Sequence, residues 1–293
     1  MAARIGVDVG GTKVLAVRID DGDGSVAARA RRETPSTVDG LIDAIAAAVE
    51  EVGGADRSVP VGVGLPGLVD GSGVLRAAPN LQCAIDVPVI APLSARLERE
   101  VAVDNDVNCA LRAELRVGEV AAASSVAFVA LGTGIGGALA FDGAVWRGAN
   151  GFAGEFGHIQ VDPSGPRCPC GRNGCWERYA SGAGLAHLAA QRGHDVDGAA
   201  VTAAARAGES WALAVWAELA RWLGVGLADL ADVLDPALFV IGGGLVDEAD
   251  LFLDAARAQF GVEVLGGSAR AATRIVAAAA GSDSGAVGAA LLR

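Results

Sequence analysis

The chain has 293 residues, 52% apolar and 4% aromatic, with a net charge of −12. That length allows two domains or one large one, and the apolar share excludes broad disorder. The acidity disfavours nucleic acid and anionic membrane as partners, the scarce aromatics argue against a base-stacking platform, and no apolar run reaches the ~18 residues of a bilayer span.

In chain order, Arg4–Val9 reads as a strand, Gly10-Gly11-Thr12 as a tight turn and Val14–Ile19 as a second strand. Asp21–Gly24 reads as a hairpin turn into a third strand near Ser25–Arg32. Thr37–Val52 has helical periodicity, with Thr37 as N-cap and Gly53 as stop. Val59–Val63 and Val101–Val103 are short buried strands, and Asp104-Asn105-Asp106 opens a helix to about Val117. The order then recurs: strand Ser125–Leu131, turn Gly132-Thr133-Gly134, strand Gly137–Phe141, hairpin turn Asp142-Gly143, strand Ala144–Trp146. Two such units half a chain apart predict duplicated lobes, 1–117 and 118–293, with a helix from about 283 packing back on the first. Residues 183–231 read mainly as helix. A strand at Leu238–Ile241 ends in Gly242-Gly243-Gly244, and a helix, a strand at Arg274–Ala278 and a last helix follow.

The Gly-rich turns let backbone N–H groups approach phosphate oxygens closely, and two of them can grip a triphosphate. Lys13, the only lysine beside 22 arginines, sits in the first turn, where a compact charge suits a phosphate better than a guanidinium fork. There is no GxxxxGK[ST] pattern. The two GxGxxG matches, Gly62–Gly67 and Gly132–Gly137, lead into a Pro-containing turn and a strand rather than a helix, so neither is a dinucleotide fingerprint. Asp8 is either a turn-stabilising carboxylate or a hard-oxygen ligand for Mg²⁺. Asp106 is either an N-cap or a general base that takes a proton from a hydroxyl attacking phosphorus.

His158, Cys168, Cys170 and Cys175 offer one imidazole and three thiolates in a Gly- and Pro-rich loop, the ligand set of a closed, structural tetrahedral zinc site. Three clustered cysteines cannot all pair with one another. The chain enters a strand at once after Met1, with no secretory h-region, which predicts a cytoplasmic protein with reduced thiols. Glu155, His158 and Glu177 flank this cluster and are the first candidates for chemistry. A zinc deaminase is excluded, because neither H-x-E nor P-C-x-x-C occurs here.

Together, DVGGTK (Asp8–Lys13), GLPG (Gly64–Gly67), APN (Ala78–Asn80), DNDVNCA (Asp104–Ala110), LGTGIGG (Leu131–Gly137), RGANGFAGEFGH (Arg147–His158), CPCGRNGCWERYAS (Cys168–Ser181) and IGGGL (Ile241–Leu245) resemble the ROK family of bacterial sugar kinases. The similarity is greatest to its zinc-containing glucokinases. The resemblance implies an α/β, duplicated actin/hexokinase-like (ribonuclease H-like) two-lobed fold with sugar and ATP in the interlobe cleft. It implies Asp106 as base, with Asn80, Asn105, Glu155, His158 and Glu177 on the sugar hydroxyls. It puts the ATP phosphates on Asp8, Gly10, Gly11, Thr12, Lys13, Gly132, Thr133 and Gly134, with Gly242, Gly243 and Gly244 near the nucleoside and Mg²⁺ bridging the phosphates. His158 would serve both zinc and sugar. Expected partners are a hexose, glucose before acetamido sugars and then mannose or fructose, and a second copy of the chain in a homodimer. Nucleic acid and membrane are not expected as partners. The family's repressors carry an N-terminal helix-turn-helix, for which a phosphate motif starting at Asp8 leaves no room. A sugar sensor on the same fold is the rival reading. Gln82-Cys83-Ala84 departs from the aromatic often found there, at a point that bears on sugar preference.

Overall fold

The structure, a computed structural model, describes residues 3–20, 24–53, 55–78, 81, 85–117, 119–270 and 273–292. Strands β1 (Ala3–Val9), β2 (Lys13–Asp20) and β3 (Val26–Glu33) are followed by helix α1 (Val38–Glu51). Next come β4 (Val61–Leu65), β5 (Leu68–Val69), β6 (Val74–Ala77), β7 (Ile85–Pro88), α2 (Ile90–Leu97), β8 (Val101–Asn105) and α3 (Asp106–Glu114). The second half holds β9 (Ser125–Leu131), β10 (Ile135–Phe141), β11 (Ala144–Trp146), α4 (Gly182–Ala190), α5 (Gly198–Arg206) and α6 (Ser210–Leu234). It continues with β12 (Leu238–Gly242), α7 (Ala249–Glu263), β13 (Arg274–Ala277) and α8 (Ser284–Ala290). The hairpin turn expected at Asp21–Gly24 lies, but for Gly24, outside the described residues.

The recurrence read from the sequence has a structural counterpart. One sheet runs β3-β2-β1-β4-β8 and another β11-β10-β9-β12-β13. In the first, β1, β2 and β3 pair antiparallel while β1, β4 and β8 pair parallel. In the second, β9, β12 and β13 are parallel and β10 and β11 antiparallel. The third sheet, β5-β6-β7, is antiparallel and was not among the expected elements; nor was α2. The chain divides into two compact units: Met1–Ala122, Ala138–Ala153 and Ala279–Arg293 form one, Ala123–Gly137 and Gly154–Ala278 the other. Among the described residues no helix is long and apolar enough to cross a membrane.

Local rules explain the elements that carry the site. Helix α1 starts where the Thr37 side chain accepts from the Gly40 N–H, and it buries Leu41, Ile42, Ile45 and Val49 at helical spacing. Strands β1 and β4 are apolar because both faces are covered: α8 packs on both strands, and on the other face their side chains share a core with residues of α1 and α2. Helix α3 ends at Glu114, short of the expected Val117, because the chain tightens into turns there. The Glu114 carboxylate is fully buried and accepts from the Ala279 and Ala280 backbone N–H groups. It thereby fixes the segment that leads into α8.

Helix α8 is seated by backbone contact. A Cβ at Gly62 would overlap the Ala289 carbonyl oxygen, and one at Gly288 the Cys109 carbonyl oxygen. Gly62→Ala should therefore destabilise the fold by about 1–3 kcal/mol through overpacking against backbone that cannot yield. Calorimetric unfolding reads this, and an unchanged midpoint would refute close packing of α8 on β4.

Candidate active site

In the first unit the β1–β2 turn is held from outside itself. The Gly10 N–H donates to the Lys13 carbonyl at 2.8 Å. The Thr34 hydroxyl donates to the Gly10 carbonyl at 2.7 Å, and the Thr34 N–H to the Thr12 carbonyl at 3.1 Å. Gly11, Thr12 and Lys13 are left exposed. Thr34 was not singled out in the sequence, since nothing in its neighbourhood marks it as the brace of a turn more than twenty residues earlier. Asp8 sits just below, on β1, against Gly285. Burial raises its carboxyl above the usual range, and the Lys13 charge opposes that.

The start of α3 separates two roles that the sequence left open. Asn105, not Asp106, is the N-cap: its Oδ1 accepts from the Val107 and Asn108 N–H groups at 2.8 and 3.1 Å. Its Nδ2 donates to the Gly67 carbonyl at 3.0 Å, so one amide N–H remains for a ligand. Asp106 is the first residue of the helix, and its Oδ1 accepts from the Val107 N–H at 2.9 Å. Asn80 lies outside the described residues, as does the Gln82-Cys83-Ala84 departure.

In the second unit the β9–β10 turn faces the start of α4. Gly182 N–H donates to the Gly132 carbonyl, and Ala183 N–H and the Ser181 hydroxyl to the Thr133 carbonyl, at 2.8, 3.1 and 3.0 Å. Because a trans peptide sets C=O and N–H on opposite sides, the N–H groups of Thr133 and Gly134 point away from α4, where an anion can meet them. Gly132, Thr133 and Gly244 line a cavity of about 770 Å³ with Gly182, Asp197 and Thr202. The other two glycines of the triplet do different work. Gly243 has φ 82° and no room for a Cβ beside Leu131, and Gly242 lies against Phe128. Both serve close packing on β9, and Gly244 alone of the three lines the cavity.

The loop after β11 gathers the metal candidates. The ligand atoms of His158, Cys168, Cys170 and Cys175 all lie within 4.8 Å of one another. His158 Nδ1 is 3.8 Å from Cys168 Sγ, and Cys170 Sγ is 3.5 Å from Cys175 Sγ. The edge of a tetrahedron with Zn–S bonds near 2.3 Å is ~3.8 Å, so the donor set fits zinc. Burial holds the Cys168 and Cys175 thiols above their usual range, and metal loading would release protons from them. Glu177 Oε1 is 3.2 Å from Cys168 Sγ and 3.7 Å from His158 Nδ1. The same carboxylate leaves no room for a Cβ at Gly134, so it joins the His158–Cys175 cluster to the β9–β10 turn. His158 Nε2 points the other way, 4.0 Å from Glu155 Oε2. Partial burial raises the Glu155 carboxyl, with His158 lowering it and Glu177 raising it further.

The loop is anchored by residues that the sequence did not mark. Trp176 is fully buried and donates to the Trp222 carbonyl of α6 at 2.7 Å. Tyr179 stacks on the Trp222 ring at 4.2 Å and donates to Asp162 at 2.8 Å.

A match to the ROK family spans residues 4–293, and the chain belongs to that family. It is 38% identical to a glucokinase of Streptomyces coelicolor over 309 residues, covering 99% of this chain and 97% of that one. It is 35% identical to an N-acetyl-D-glucosamine kinase of Escherichia coli over 256 residues, covering 82% and 83%. Among solved structures, a ROK family glucokinase from Streptomyces griseus in complex with glucose and AMPPNP superimposes with a TM-score of 0.89 at 38% identity, covering 99% of each chain. The actin/hexokinase-like α/β fold and the family read from the motifs are thus borne out.

Proposed function

We propose that the chain is an ATP-dependent sugar kinase that converts glucose to glucose 6-phosphate. The observation that carries this reading is the near full-length likeness to a glucokinase bound to glucose and an ATP analogue. Asp106 accepts the proton of the sugar 6-hydroxyl as that oxygen attacks the γ-phosphorus. A new P–O bond forms, the β–γ bridging P–O bond breaks, and ADP leaves. Asn80, Asn105, Glu155, His158 and Glu177 hydrogen-bond the other hydroxyls, Asn105 through its remaining amide N–H. A sugar lacking a hydroxyl is rejected because the buried partner loses its bond.

Gly10, Gly11, Thr12, Lys13, Gly132, Thr133 and Gly134 take the triphosphate, chiefly through backbone N–H groups and the Lys13 charge. The cavity beside Gly244 takes the nucleoside. Mg²⁺, when bound, would neutralise phosphate charge, and Asp8 is the half-buried carboxylate suited to hold it directly or through water. Zinc, when bound by His158, Cys168, Cys170 and Cys175, closes the loop and fixes the imidazole, leaving Nε2 to the sugar. A cytoplasmic homodimer completes the reading, supported by family resemblance and by cysteines that, among the described residues, form no disulfide.

The test is ADP formation with Mg²⁺ on glucose, mannose, fructose, N-acetylglucosamine and N-acetylmannosamine. Glucose is expected to lead by kcat/KM. A lead for N-acetylglucosamine, the substrate named for the Escherichia coli relative, would keep the kinase and overturn the sugar. Absence of turnover on all five would favour a sensor.

A further inference from the structure

The β9–β10 turn is held from within by a side chain that the roles above leave unused. Ser181, the residue before α4, is fully buried. Its hydroxyl lies 2.6 Å from the Glu177 carbonyl and 3.0 Å from the Thr133 carbonyl, and it accepts from the Gly184 N–H at 3.1 Å as the N-cap of α4. A hydroxyl carries one proton and two lone pairs. A single proton therefore serves both carbonyls, one on the segment that follows Cys175 and one in the turn. The Thr133 carbonyl also accepts from the Ala183 N–H at 3.1 Å, and the Gly132 carbonyl from the Gly182 N–H at 2.8 Å. Of these three donors to the turn, Ser181 is the only side chain. The Glu177 carboxylate, four residues before Ser181, fills the place that a Cβ at Gly134 would need.

Each carbonyl shares a rigid peptide plane with the N–H of the next residue, which points the opposite way. Holding the Thr133 carbonyl therefore aims the Gly134 N–H, and holding the Gly132 carbonyl aims that of Thr133. Backbone donors grip an anion best when they converge before it arrives, because freedom frozen on binding costs affinity. We propose that Ser181 is a positioning residue for the nucleotide: its hydroxyl holds the Thr133–Gly134 peptide plane so that the Gly134 N–H faces a phosphate oxygen. The inference rests on the reading of this turn as part of the triphosphate site. Ser181 is closed off from solvent, so it acts through that plane and not by contact with the nucleotide.

The test compares S181G with S181A in the full chain. Both delete the hydroxyl, but Gly is nearly as good an N-cap as Ser while Ala is not, so S181A loses the helix start as well. Calorimetry gives the Kd of Mg–AMPPNP and of glucose, beside KM for MgATP and for glucose and the unfolding midpoint. Both variants are expected to raise the AMPPNP Kd and the MgATP KM by about tenfold, the scale of one buried hydrogen bond. The glucose Kd and KM should stay within about threefold of the parent, and only the midpoint should separate the variants, lower for S181A. An AMPPNP Kd within about threefold of the parent in S181G overturns the assignment. So does an equal rise in the glucose Kd, the mark of a merely structural role, or a loss several-fold greater in S181A, which would follow the helix cap. Should one variant not fold, the split between nucleotide and glucose in the other decides. A parent chain that binds no AMPPNP would remove the triphosphate reading and the inference with it, a failure that shows before any variant is made.

Discussion

Asp106→Asn is expected to lower kcat for glucose phosphorylation by about 10²–10⁴-fold, the contribution of a positioned general base. The substitution is nearly isosteric, and it spares the helix start because Asn105 supplies the capping oxygen for Val107 and Asn108. Thermal stability should therefore hold while turnover falls, a separation that a capping Asp106 could not give, since losing a cap costs about 1 kcal/mol. KM for glucose should change far less than kcat, because the lost interaction is made as the proton moves. Steady-state kinetics beside calorimetric unfolding read both. A rate within tenfold of the parent would remove Asp106 as base.

The second large effect belongs to the metal. Cys168→Ser should release the single zinc expected per chain and lower glucose turnover by about 10²-fold or more, since His158, Glu155 and Glu177 are all arranged by that loop. Structural zinc sites in small peptides bind with apparent free energies of about 10–16 kcal/mol at neutral pH, so the loop without metal should lose its order before the sheets do. Its anchors on α6, Trp176 and Tyr179, should still hold the base of the loop. Mass spectrometry under non-denaturing conditions counts the zinc, and unfolding with and without chelator reads the loss. A metal-free chain with parental activity would refute the site.

What the sequence made legible was what it marks locally. The Gly turns, the Thr37 cap and the strand–turn–strand recurrence each carry their signal within a few residues, and the four residues suited to hold a metal all fall between His158 and Cys175. The β5-β6-β7 sheet was hidden because its strands are two to four residues long. Helix α2 was hidden because the usual punctuation is missing: Val89 makes no side-chain cap, Pro92 stands in its first turn, and it ends on Glu98 at φ 54°. Between neighbours Asn105 and Asp106, either could have capped, and only the backbone geometry decides. Thr34 was invisible for a different reason: its partners, Gly10 and Thr12, lie more than twenty residues earlier, and no spacing rule links them.

The seat of α8 has a consequence for how this protein is made. The face of β1 and β4 that carries Gly62 is covered by a helix encoded about 220 residues after β4 ends. At roughly 5–20 residues per second of synthesis, that face stays open to water for about 10–45 s after β4 has been made. The first unit to begin emerging from the ribosome is thus among the last to be completed, and for that interval its sheet is a natural client for a chaperone.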